Sequence, residues 1–276
     1  MALENPALAN NAALKEAKAS AQRTYTAEEL RAMYEQPSAA EPSYDPPVTP
    51  SVPRENALSY DDVIAKTAVT LGLVIVSAAI GWFVPSLMLP GMLIGLVLGL
   101  VNSFKREPSP ALILGYAVAE GLFIGGISSV LESVYSGIVV QAALATLSVF
   151  AVMLALFASG KVRASAKLTK IALVAMGGYL LFSLINVALQ LTGVVTDPWG
   201  LMTSVTIAGI PLGVIVGVVA VLLAAYSFVM DFDYAQQGVR TGIDRKYAWS
   251  IAFGLTVTLI WLYVEFLRLI AIFREQ

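Results

Sequence analysis

The 276-residue chain has no cysteine and no histidine. The first absence excludes disulfides, thiolate metal sites and thiol nucleophiles. The second removes histidine-based hydrolase machinery, zinc or haem held by imidazole, and the histidine pH switch. Charge is scarce too, at 13% of residues against ~25% in a soluble domain, while 58% are hydrophobic and the mean hydropathy is +0.77. A soluble globular fold is thereby excluded. The formal net charge of −2 is too near balance to suggest a nucleic-acid partner. Any ionisable chemistry inside a membrane falls to Asp, Glu, Lys, Arg or Tyr.

What is present divides at about residue 58. Residues 1–58 hold Pro37, Pro42, Pro46, Pro47, Pro50 and Pro53 among many Ala, Glu and Ser. Such a stretch cannot bury enough apolar area to offset its ordering entropy, and it reads as a disordered cytoplasmic tail. Thr26 to Glu29 forms a capping box, with Leu30, Met33 and Tyr34 on one face of the short helix it would start. No apolar run follows Met1, so the first span is expected to direct its own insertion.

Residues 59–276 read as a seven-helix transmembrane domain, each span taking ~20–25 residues. Ser59 to Asp62 offers a second capping box. The spans are expected at about Val63–Val84, Ser86–Phe104, Ala111–Val130, Ile138–Ala158, Leu168–Leu191, Val205–Met230 and Trp249–Phe273, with a continuation of the sixth past Met230 left open. Fusing the first two at Pro85 would leave six. The even loops carry Lys105 and Arg106; Lys161, Arg163 and Lys167; and Arg240, Arg245 and Lys246, whereas the odd loops carry no Lys or Arg. A six-span count breaks that alternation. The positive-inside rule then places the tail and even loops in the cytoplasm and the C-terminus outside, as expected for a bacterial plasma membrane protein.

An ionised side chain in hydrocarbon costs ~2.5–3.5 kcal/mol or more, so intramembrane charges are functional candidates by default. They are Glu120 in the third span, Asp231 and Asp233 at the end of the sixth, and Glu265 and Arg268 in the seventh. Glu265 and Arg268, three residues apart, can instead form a local structural ion pair. Asp233 reads as a solvated interface carboxylate on nearly the opposite helix face from Asp231. Gly91, Gly95 and Gly99, and again Gly213 and Gly217, recur at four-residue spacing, which allows close helix packing in lipid. That packing is read as intramolecular, in a monomer. Pro211 makes the sixth span a candidate for bending.

Several classes drop out. The seventh span has no lysine for a retinal Schiff base, and the Gly-Tyr-Asp and Gly-x-Gly-Asp contexts of Asp-Asp intramembrane proteases are missing. No enzyme, catalytic residue or cofactor is expected.

Val229-Met-Asp-Phe-Asp-Tyr-Ala-Gln-Gln and Trp261-Leu-Tyr-Val-Glu-Phe-Leu-Arg-Leu resemble the transmembrane Bax inhibitor motif (Bax inhibitor-1-like) family, as do Leu89-Pro90 with Lys105-Arg106 and Glu120-Gly-Leu-Phe-Ile-Gly. The resemblance covers about residues 60–273. It implies an all-α membrane fold with six helices around a central seventh. It further implies a pH-sensitive calcium leak channel, with Asp231 and Glu265 at the family's two acidic positions and Arg106 as a basic latch on the pair. The alternative it offers is a non-conducting protein that modulates a membrane protease or a stress response. Here the second acid is Glu rather than Asp, and it follows the first by 34 residues. A turn centred near residue 248 would bring the two level. A turn nearer residue 243, where the charges lie, would offset them by ~15 Å.

If the two acids approach in a low-dielectric site, they would share one proton. Ionised, they would draw in Arg106 or a cation. Calcium, which takes hard oxygen ligands, is the ion expected to bind at Asp231 and Glu265 or to pass between them. Lipid, calcium and protons are thus the expected partners.

Overall fold

In the computed structural model, residues 56–197 and 199–275 are described, together with Thr26 and Glu28. The tail's helix with its capping box, and the tail as a domain, lie outside them. The described chain forms seven helices long and apolar enough to cross a bilayer. They are α1 (Tyr60–Phe83), α2 (Met88–Phe104), α3 (Pro110–Val134), α4 (Ile138–Ala158), α5 (Ala166–Leu191), α6 (Leu212–Thr241) and α7 (Ala248–Arg274).

The helix ends follow local chemistry. Ser59 caps α1: its hydroxyl accepts from the Asp62 amide at 3.2 Å, and its own amide donates to the Asp62 carboxylate at 3.3 Å. A 3-10 turn over Pro85–Leu87 separates α1 from α2, so the spans are distinct. Pro110 opens α3, where a missing amide hydrogen costs nothing.

The sixth helix starts later than expected and takes the continuation past Met230 that the sequence leaves open. Residues 205–211 form a small hairpin instead of its first turns. Strand β1 (Thr206–Ile207) pairs antiparallel with β2 (Ile210–Pro211) across Ala208 and Gly209, both at positive φ. Pro211 is therefore the cap of α6 and not a bend within it. At the other end the helix runs eleven residues past Met230, through Tyr234, Gln236 and Gln237, to Gly242 in the left-handed region at φ 63°. Polarity marks the end of the hydrocarbon, not of the helix. Asp231 consequently sits well inside α6.

Helix packing follows the glycines, since lipid supplies no hydrophobic drive between helices. A β-carbon at Gly91 would stand 2.7 Å from the Ala119 carbonyl, so α2 lies directly on α3. Gly121 and Gly125 bring α3 equally close to α1, and Gly213 and Gly217 admit Ile272 and Leu269 of α7. Helix α7 is central and over half buried, packed on α6, α1, α4 and α3. Phe150 of α4 stacks edge-on to Phe228 of α6 with ring centres 5.3 Å apart, tying these two around it. Helix α2 rides outside on α3. Helix α5 packs against α6 and reaches the centre through side chains.

Candidate functional site

The α6–α7 turn sets the register of everything that follows. The Gly242 amide donates to the Val239 carbonyl and the Ile243 amide to the Gly238 carbonyl, closing α6. A single 3-10 turn, Arg245–Tyr247, leads into α7. With this tight a connection, the residue opposite Asp231 is Thr258, whose hydroxyl donates to Oδ2 of Asp231 at 2.8 Å. Gly254, one turn earlier, leaves room for the carboxylate: a β-carbon there would be 3.2 Å from Oδ1. Asp231 is 7% exposed. Among the described residues it has no further hydrogen bond and no ion pair.

Glu265 is two turns further along α7, about 10 Å beyond Thr258. It has partners of its own. Arg268 donates to Oε2, while the Tyr179 hydroxyl of α5 and the Trp261 indole nitrogen, at 3.2 Å, donate to Oε1. Arg268 also donates to the Tyr179 oxygen at 3.0 Å. The structure thus corrects the expected proton-sharing pair. Asp231 and Glu265 are not brought together, because the turn falls near residue 245 rather than 248. The local Glu265–Arg268 ion pair forms instead.

The same register bears on calcium. Among the described residues no group of three or more Asp or Glu side chains could hold a metal ion. Asp231 and Glu265 do not share one coordination sphere.

Asp231 lines a cavity of about 460 Å³ between α5, α6, α7 and the end of α2. Thr258, Gly254, Tyr179 and Trp261 line it too, with Met176 and Gly177 of α5 forming an apolar side. Lys105 and Arg106 stand at its mouth, both exposed. Arg106 therefore shares a cavity with Asp231, but no ion pair joins them.

The mouth lies at the end of the bundle that gathers the basic loops. There Arg245 pairs with Asp62 at 2.5 Å, Lys66 donates to the Arg245 carbonyl at 2.9 Å, and Lys246 pairs with Glu107 at 2.9 Å. The Leu58 amide donates to the Ile243 carbonyl at 2.8 Å. The root of the tail and the α2–α3 loop are thus both fastened to the α6–α7 turn.

The other charges sit apart. Asp233 faces away from Asp231 and accepts from Gln237 at 2.6 Å. Glu120 is half-buried between α3 and α2, its Oε1 lying where a β-carbon on Gly95 would come within 2.6 Å. It has no hydrogen bond among the described residues.

Thr258, Gly254, Tyr179 and Trp261 were not singled out from sequence. One signal was there: Gly254, Thr258, Trp261, Glu265 and Arg268 follow at intervals of four, three, four and three, a single stripe on α7.

A seven-span helical bundle with a buried carboxyl facing an internal cavity defines a class of polytopic membrane protein. The family model described as Bax inhibitor 1 like matches residues 5–275, and the chain belongs to that family. No curated protein matches the chain significantly.

Proposed function

We propose that the protein is a pH-sensitive cation leak pathway, with calcium as the conducted ion, and that Asp231 is the gating carboxyl. One observation carries this reading: a buried carboxyl, without a counter-ion among the described residues, faces a cavity whose mouth holds Arg106. Ionised Asp231 costs several kcal/mol there unless a cation approaches. Proton, Arg106 and permeant cation thus compete for one carboxylate. Calcium passes through without a built coordination shell, which suits conduction better than tight binding. Glu265, neutralised by Arg268, holds the wall of the cavity in shape.

The basic end, with the mouth, faces the cytoplasm on the positive-inside rule. The membrane is taken to be a bacterial plasma membrane and the chain a monomer.

Calcium flux into proteoliposomes tests the reading. Asp231→Asn should abolish the pH dependence of the leak, and Asp233→Asn should retain it. Arg106→Ala should raise basal flux, whereas Arg163→Ala, in a loop away from the cavity, should not. Unchanged pH dependence in Asp231→Asn would move the sensor elsewhere, to Glu120 first. Absence of flux from the wild type at every pH would replace the channel with the non-conducting interaction protein.

A further inference from the structure

We infer that the cavity is a binding site for an organic cation, an ammonium group carrying an apolar body, with its N–H groups on Asp231. Three observations converge. Asp231 is more than nine-tenths buried and, among the described residues, receives one hydrogen bond, from Thr258, with no counter-charge. Its remaining acceptor capacity faces the cavity over Gly254, and a buried carboxylate left short of donors is costly.

The walls complement the body of such a ligand. Tyr179 and Trp261 stand beside each other, ring centres 5.8 Å apart, and both line the cavity. Met176 adds a soft apolar surface. Aromatic faces near a carboxylate attract an ammonium and its methylene neighbours. The volume of about 460 Å³ lies within the ~300–1,000 Å³ of small-molecule sites.

A bare metal ion fits less well. It needs several oxygens carrying negative charge, and among the described residues Asp231 is the one carboxylate that lines the cavity, with no group of three or more acidic side chains around it. One carboxylate with an apolar wall is a complete site for an ammonium. Lys105 and Arg106 stand in water at the mouth, where their repulsion of a cation is screened. They make an anionic amphiphile the rival ligand. Binding of this kind does not require that ions pass through the protein.

Calorimetric titration of the full chain in detergent separates the rivals with three probes of one shape: 2-phenylethylammonium, 2-phenylethanol and 3-phenylpropanoate. The wild type should bind the ammonium most tightly. Asp231→Asn should weaken the ammonium by about tenfold or more, the scale of a lost buried charge pair, and leave the alcohol unchanged. A second variant adds bulk at Gly177, which lines the cavity on α5. A β-carbon on Gly177 meets nothing within 4 Å, so Gly177→Phe should fold and weaken every probe. Equal binding of the alcohol, preference for the carboxylate, no binding by the wild type, or an Asp231→Asn variant that holds the ammonium as well as before would each overturn the assignment. Should Asp231→Asn fail to fold, the order of the three probes on the wild type and their loss in Gly177→Phe decide.

Discussion

Thr258 and Thr256 show how one residue type two positions apart can do different work. Both are buried in α7. The Thr256 hydroxyl donates at 2.7 Å to the Ala252 carbonyl of its own helix, while that of Thr258 crosses to Asp231. Thr258→Val should therefore cost ~1–3 kcal/mol, the penalty for stranding a buried polar group. Thr256→Val should change little, because a back-bonded hydroxyl adds almost nothing to a helix. Thermal unfolding of the two variants in detergent measures the difference, and equal losses would show that the bond to Asp231 carries no weight. In sequence the two threonines look alike. Burial and charge made Asp231, Glu265 and Arg268 legible as exceptional residues, and the three-residue spacing made the Glu265–Arg268 pair legible as a structural alternative. The partner of Asp231 was not legible, since it depends on a turn whose length differs by a few residues between equally reasonable readings.

At the scale of elements, the helices and their order followed from apolar runs and caps, and the start of α6 did not. A two-strand hairpin built on positive-φ Ala208 and Gly209 looks, by composition, like the first turn of a span. Helix α5 presents a different problem. It is long and apolar, yet the structure ties it to the bundle through few groups. Asn186 spans the α5–α6 loop by accepting from the Leu201 amide at 2.7 Å, Thr169 meets Tyr226 at 2.9 Å, and Tyr179 bridges Glu265 and Arg268. Tyr179→Phe removes the only one of these that reaches α7. The variant should lose ~1–3 kcal/mol and expose residues 166–191 to faster amide exchange, leaving α3 unchanged. Exchange that rises equally in α3 and α5 would mean that Tyr179 supports the whole bundle. By contrast α2 is held on α3 by backbone proximity, so Gly91→Val should overpack that seam at a cost of about 1–3 kcal/mol or more. Loss of folded yield on detergent extraction reads that effect.

For the whole molecule, the separation of charge is the feature that links fold to orientation. Every Lys and Arg of the α2–α3, α4–α5 and α6–α7 loops lies at the end where the cavity opens, and three ion-paired or hydrogen-bonded contacts fasten the elements there. At the opposite end Arg274 donates to the Ser136 carbonyl and the Tyr135 hydroxyl to Glu275, with no basic residue in the loops themselves. The positive-inside bias is counted over short loops of this kind and sets the orientation of the bundle as a unit. The chain has no cysteine, so single cysteines can be placed in an otherwise unreactive background. Ser136 and Ser159 are exposed at opposite ends. Ser136→Cys should react with a membrane-impermeant maleimide on intact cells. Ser159→Cys should react only after permeabilisation. The reverse pattern would turn the bundle over and put Arg106 and the mouth of the cavity outside, where extracellular rather than cytoplasmic pH would set the charge on Asp231. Labelling of both sites on intact cells would mean two orientations of one chain, with the cavity opening on both sides of the membrane.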